Sequence, residues 1–296
     1  MSDFDRLIKR AEQVLERLEA ALPPRLPAPD WKAALAYRWR KRSGRGFLQP
    51  VTHPHKIRLT DLQGIDEQVR LVEQNTRQFL EGLTANDVLL TGARGTGKSS
   101  LVKAVLNKFS AKGLRLIEVE KHDLMDLPDI VDLVADAPYK FILFCDDLSF
   151  DADEPGYKVL KVILDGSISA TSENLLIYAT SNRRHLMPEY MQENLETKYR
   201  GEEIHPGESV EEKISLSERF GLWVSFYPFD QDEYLVIVDY WLGQLGVGER
   251  DRARARHEAL QWALTRGSRS GRVAWHFARD WAGRHKVKAG TARKPT

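Results

Sequence analysis

The chain has a single cysteine, Cys145, which excludes an intrachain disulfide framework and suits a reducing compartment. No stretch approaches the roughly eighteen consecutive apolar residues of a membrane-spanning helix. The first residues, Met1-Ser2-Asp3-Phe4-Asp5, lack the basic start and apolar run of a secretory signal. Neither sign of charge dominates: 44 Lys and Arg stand against 43 Asp and Glu, a net charge of +1. That balance argues against a partner attracted by bulk charge alone. No internal repeat is visible. What is there is globular in character: 296 residues, 42% hydrophobic and 29% charged, enough for one or two domains with a sizeable core. The expectation is a cytoplasmic protein with no membrane partner.

One stretch is far more specific than the composition. Gly92-Ala93-Arg94-Gly95-Thr96-Gly97-Lys98-Ser99 matches the phosphate-binding pattern G-x-x-x-x-G-K-[ST] without a mismatch. Glycines let backbone N–H groups close around a β-phosphate, a lysine reaches the β- and γ-oxygens, and a hydroxyl ligates Mg²⁺. The pattern makes Gly92 to Ser99, with Ser100 beside them, the nucleotide-binding set, and Ser99 a metal ligand as well. Asn86–Thr91 reads as a short buried strand entering the loop, and Ser100–Leu106 as an amphipathic helix leaving it. A triphosphate would then sit at a helix N-terminus.

Around this loop the chain divides into three parts. Residues 1–55 form an N-terminal extension: a helical period over residues 4–21, Pro-rich breaks, then the basic, aromatic run Trp31 to Phe47. That run reads as a surface helix docking Trp31, Leu35 and Trp39 while its cations stay solvated; stacking on nucleic acid is the other reading. His53-Pro54-His55 is too sparse for a metal site and reads as a loop. Residues 56–227 alternate helices with five apolar runs, including Leu114–Val119, Phe141–Cys145, Leu175–Ala179 and Leu222–Phe226. This pattern predicts an α/β fold, a three-layer αβα sandwich on a five-stranded parallel sheet. Residues 228–296 read as a small helical lid with a basic tail. The acidic segment 189–213 reads as a solvated loop, with docking of a partner as the alternative.

Acids, an amide and arginines follow the loop at telling positions. The third apolar run ends in Asp146-Asp147, placed for Mg²⁺ (Asp146) and for polarising an attacking water (Asp147). Asn182, at the tip of the next run, can hydrogen-bond that water or a γ-oxygen; a turn-forming asparagine is the plainer reading. Arg219, in Ser217-Glu218-Arg219-Phe220-Gly221, stands where a guanidinium can point to a neighbouring subunit's γ-phosphate. A salt bridge to a nearby acid is its alternative. Arg272 or Arg269 could reach the phosphate from the lid, and Arg272 is favoured.

These elements in this order resemble the AAA+ ATPases over residues 59–282. Leu62-Gln63-Gly64-Ile65-Asp66 looks like the segment that lines the adenine pocket there, which makes Ile65 a contact of the base. Asp-Asp and Ser-Glu-Arg-Phe-Gly are similar to bacterial replication initiators and helicase loaders. FILFCDDLSF, YATSNRRHL and SERFGLW are similar to one bacterial AAA+ family, domain of unknown function 815. The resemblance implies ATP, Mg²⁺ and assembly into a homo-oligomer with Arg219 acting in trans. Many relatives carry glutamate where Asp147 stands, one methylene longer, so turnover is expected to be low. The connection Glu120–Pro128 lacks the aromatic-glycine pair of protein-threading members. Two functions follow. One is an ATPase that remodels a protein partner. The other is a slow nucleotide-gated switch or nucleic-acid-binding module of helicase-loader type.

Overall fold

The computed structural model describes residues 29–150, 154–165, 173–182 and 216–285, together with 4, 8–10, 12–13, 186, 198–200 and 203–205. The expected N-terminal helix, the acidic segment over 189–213 and the basic tail lie largely outside these residues.

The basic, aromatic run is a β-hairpin and not the expected surface helix. β1 (Ala36–Arg42) pairs antiparallel with β2 (Arg45–Pro50), with Arg42 opposite Arg45. The two-residue turn Ser43-Gly44 has positive φ at both positions, 51° and 74°, the twist that hairpins favour. Alternation does the rest. Tyr37 and Trp39 are buried, whereas Arg38 and Arg40 point outward onto Glu118 and Glu120. Trp39 Nε1 and Lys41 Nζ both reach Asp126 Oδ2 at 2.8 Å. The rings of Tyr37 and Trp39 are thus in the core, while Arg38, Arg40 and Lys41 rest on acids and Arg42 and Arg45 are exposed at the turn.

β1 also runs parallel to β4 (Leu114–Glu118), so the sheet has seven strands where five were expected. The five expected strands form one contiguous parallel block that ends at the sheet's edge. Between the hairpin and β4 come α1 (Asp66–Leu80), β3 (Val88–Gly92) and α2 (Lys98–Phe109). Then follow α3 (Leu127–Val134), β5 (Lys140–Cys145), α4 (Pro155–Leu164) and β6 (Leu175–Ser181). A small antiparallel ribbon, β7 (Lys198–Arg200) and β8 (Glu203–His205), precedes β9 (Leu222–Phe226). The order is β2-β1-β4-β5-β6-β3-β9. The P-loop strand β3 is therefore flanked by β6 and β9, which brings their C-terminal ends to the loop.

Successive strand residues supply two cores. Leu90, Phe144 and Tyr178 face the side covered by α1 and α2; Leu89, Phe141, Leu143 and Ile177 face α3 and α4. Tyr178 pins α1 to the sheet: its hydroxyl lies 2.8 Å from Thr76 Oγ1 and accepts from Asn75 Nδ2 at 3.2 Å. The lid comprises α5 (Gln231–Gln244), α6 (Glu249–Arg266) and α7 (Gly271–Arg284). Asp230 and Glu233 form a capping box on α5, and Ser270 caps α7. Lid residues Tyr234, Val238 and Phe277 extend the first core, and Tyr240 donates to Asp61 Oδ1 at 2.6 Å.

Asp87, just before β3, accepts the Ile177 N–H at 2.6 Å, and burial pushes its carboxyl up to about 6. A raised carboxyl binds its proton more tightly in the folded state. Its contribution is greatest at low pH and is lost as pH rises through 6. Asp87→Asn removes the titration. Relative to wild type, the variant should gain on the order of 2 kcal/mol between about pH 4 and about pH 7. Urea unfolding at the two pH values measures this; a pH-independent difference would exclude it.

Candidate functional site

The loop from Gly92 to Gly97 bends where only glycine fits. Gly92 has φ 129°, and a Cβ there would lie 1.9 Å from the Phe226 carbonyl oxygen of β9. Gly97 (φ 107°) opens α2 and is lined by Ile65, whose Cδ1 would be 3.2 Å from an added Cβ. Thr96 is buried and its hydroxyl donates to Ala93 O at 2.9 Å, closing the loop on itself. Lys98 lies inside this curve. Its Nζ donates to Gly92 O at 2.6 Å, to Ala93 O at 2.8 Å and to Asn182 Oδ1 at 3.1 Å. Burial lowers its pKa; Asp147 and Asp146 pull the other way, and Arg272 and Arg94 add repulsion. A buried cation resting on neutral carbonyls matches an anionic ligand that it can exchange them for.

Asp146 and Asp147 follow β5 directly. Asp146 Oδ1 accepts from Ser99 Oγ and from Thr180 Oγ1, each at 2.6 Å. Thr180 Oγ1 in turn accepts the Asp147 N–H at 2.9 Å. That bond helps hold Asp147 at φ 53°, a left-handed conformation that costs a non-glycine residue about 1–3 kcal/mol. Both Asp147 oxygens have partners: Oδ1 accepts from Asn182 Nδ2, and Oδ2 lies 3.8 Å from the Arg94 guanidinium. Asn182 thus bridges Lys98 and Asp147. Among the described residues no group of three or more His, Cys, Asp or Glu is built to hold a metal. Mg²⁺ does not require one, because it keeps waters and takes phosphate oxygens beside one or two protein ligands. Ser99 and Asp146, 2.6 Å apart, fit that use.

These residues line a cavity of about 930 Å³ between the core and the lid. The lining also includes apolar and aromatic groups: Leu62, Ile65 and Phe229, with Ile237, Trp241 and Trp275 of the lid. The two indoles are packed on each other with centroids 4.6 Å apart. Ser100 and Lys103 line the wall from α2, and His55, Lys56 and Ile57 line it from the segment before α1. Arg272 is on the cavity, and its N–H donates to Gly95 O at 3.4 Å; Arg269 is exposed and off it. Gly95 is tight against the lid, where a Cβ would meet Ser270 Oγ at 2.8 Å. Arg219 is not brought to the cavity. Its Nε donates to Asp165 Oδ1 at 2.5 Å, at the end of α4. Sequence reasoning missed Thr180, which only its strand-tip position hinted at. It also missed Trp241 and Trp275, whose facing depends on how the lid helices pack.

Comparison with known proteins adds the following. Residues 32–285 match the model of a family described as protein of unknown function, DUF815. Among solved structures, a threonine-to-valine variant of Thermotoga maritima RuvB aligns with a TM-score of 0.52 at 16% identity, over 79% of this chain and 68% of that one. An alanine-to-serine RuvB variant aligns with a TM-score of 0.52 at 15% identity, over 79% and 69%. Comparison with curated proteins gave no match. At such identities the structural likeness speaks for the fold. The family model spans nearly everything from the hairpin to the end of the lid, and by that measure the chain belongs to the DUF815 family, on the AAA+ fold.

Proposed function

We propose that this protein is a Mg²⁺-dependent ATPase, cytoplasmic and acting as a homo-oligomer, that hydrolyses ATP to ADP and phosphate to remodel or assemble with a macromolecular partner. One observation carries this reading: Lys98, the Ser99–Asp146 pair, Asp147 and Asn182 are joined by hydrogen bonds and line one cavity, which Arg272 lines from the lid. The aromatic residues in the cavity lining, Phe229, Trp241 and Trp275, suit an adenine. Ser99 and Asp146 would hold Mg²⁺, which would supply neutralising charge at the phosphate oxygens.

The chain's own groups then divide the work. Lys98 leaves the carbonyls of Gly92 and Ala93 for phosphate oxygens. Asp147 accepts the proton of the attacking water, and Asn182 positions that water. Arg219 of one subunit exchanges Asp165 for the γ-phosphate of the next, and Arg272 reads the same phosphate within its own subunit. A slow, switch-like form of this activity is favoured by one detail: both oxygens of Asp147 are already engaged, by Asn182 and by Arg94. Nucleic-acid binding in that form would fall to the lid arginines, and its affinity would drop steeply with salt.

Wild-type protein should show Mg²⁺-dependent ATP turnover, and Lys98→Ala should abolish ATP binding in calorimetry. Arg219→Ala should keep ATP affinity while losing turnover on the order of 10³-fold. Equal turnover in that variant and wild type would sink the trans arrangement. Thr180→Val preserves shape but strands the Asp147 N–H, so steady-state assays should find kcat about tenfold lower with little change in KM. A shift confined to KM would contradict the assigned link.

A further inference from the structure

The cavity wall contributed by His55, Lys56 and Ile57 belongs to neither a helix nor a strand. Irregular backbone on the surface has no ladder of its own to hold it. Here it is held from a particular place. Asn107 on α2 donates both protons of its side-chain amide to this segment, to His55 O at 2.7 Å and to Ile57 O at 2.7 Å. The far end of the segment is fixed separately by Arg58, whose N–H donates to Asp61 Oδ2 at 2.8 Å.

The position of Asn107 on α2 is what gives the contact meaning. Ser99, Lys103 and Asn107 recur every four residues and so share one face of the helix. Ser99 and Lys103 line the cavity, and Asn107 follows one turn beyond, about 12 Å along the axis from Ser99. The helix that opens with the phosphate loop therefore also sets where this stretch of the cavity wall stands. An amide suits this use because it offers two donors in one plane, matching two carbonyls two residues apart.

We infer that Asn107 is a positioning residue for the nucleotide base, fixing the His55–Ile57 wall at a set distance from the phosphate loop. This rests on the ATPase reading and deepens it. The residue touches neither phosphate nor reacting atoms, so its loss leaves the chemistry in place and loosens base recognition. An adenine nucleotide then binds more weakly, and a guanine nucleotide is excluded less well.

Asn107→Ala tests this, with Asn107→Asp as the companion that keeps shape and removes both donors. Amide hydrogen exchange at residues 55–58 in the nucleotide-free protein should rise about tenfold in both variants while exchange in β3 and β5 is unchanged. KM for ATP should rise about tenfold with kcat changed less than about twofold, and the preference for ATP over GTP should fall. Unchanged exchange at 55–58, or a fall in kcat at constant KM, would overturn the assignment. A wild-type protein that binds no ATP overturns the nucleotide reading instead, and the exchange arm then decides by itself whether Asn107 holds the wall.

Discussion

One carboxylate oxygen joins three separate elements of this protein. Asp146 Oδ1 takes the hydroxyl protons of Ser99 from the start of α2 and of Thr180 from the end of β6, while Asp146 itself closes β5. Charge-assisted hydrogen bonds of this length are among the strongest a protein makes, and here two share an acceptor. The phosphate loop, the second acid and the polar tip of β6 are consequently held as one unit. The backbone of Asp147 follows from it, because Thr180 is also what accepts the Asp147 N–H. The parallel sheet makes the junction possible by bringing the C-terminal ends of β3, β5 and β6 side by side.

Most of this centre was legible in the sequence because its signals are local. Apolar runs such as Phe141–Cys145 and Leu222–Phe226 are too short for helices and occur as strands, the first inside the sheet and buried along its length, the second at the sheet's edge with Ser225 exposed. The three helices of the lid, read from the sequence as Asp232–Leu245, Arg250–Leu264 and Val273–Trp281, occur with ends shifted by one to three residues. The hairpin was not legible as it was read. Trp31, Leu35 and Trp39 recur every four residues and imitate a helical stripe, while the two-residue alternation of Tyr37, Arg38, Trp39 and Arg40 describes the strand. Ser43-Gly44, a turn dipeptide midway through the run, is the signal that separates the two. Pairing with β4, burial of Tyr37 and Trp39, and acids on β4 and beyond it all come from distant parts of the chain, and no local pattern announces them.

The site divides along the same line. The loop glycines, Lys98, Ser99 and the acid pair announce themselves by spacing, since their chemistry is done by neighbours in sequence. Thr180, Asn107 and the two cavity tryptophans act across 34 to 52 residues of chain or across the core–lid boundary, as the Thr180–Asp146 and Asn107–His55 contacts illustrate. Their residue types are unremarkable where they stand. Arg219 shows the reverse: a conspicuous motif whose side chain, within one subunit, is occupied by Asp165.

The two edges of the sheet also bear on how copies of the chain can meet. At one end β2 begins with Arg45 and finishes with Pro50, a cation and a residue without an N–H, both unfavourable to a further strand. At the other end the Ser225 carbonyl of β9 accepts from Gln68 of α1 at 3.0 Å, and so is spoken for. Neither border invites extension by backbone pairing. The surfaces that remain for contact are helices, loops and their side chains, which can bind and release a partner without rebuilding a sheet.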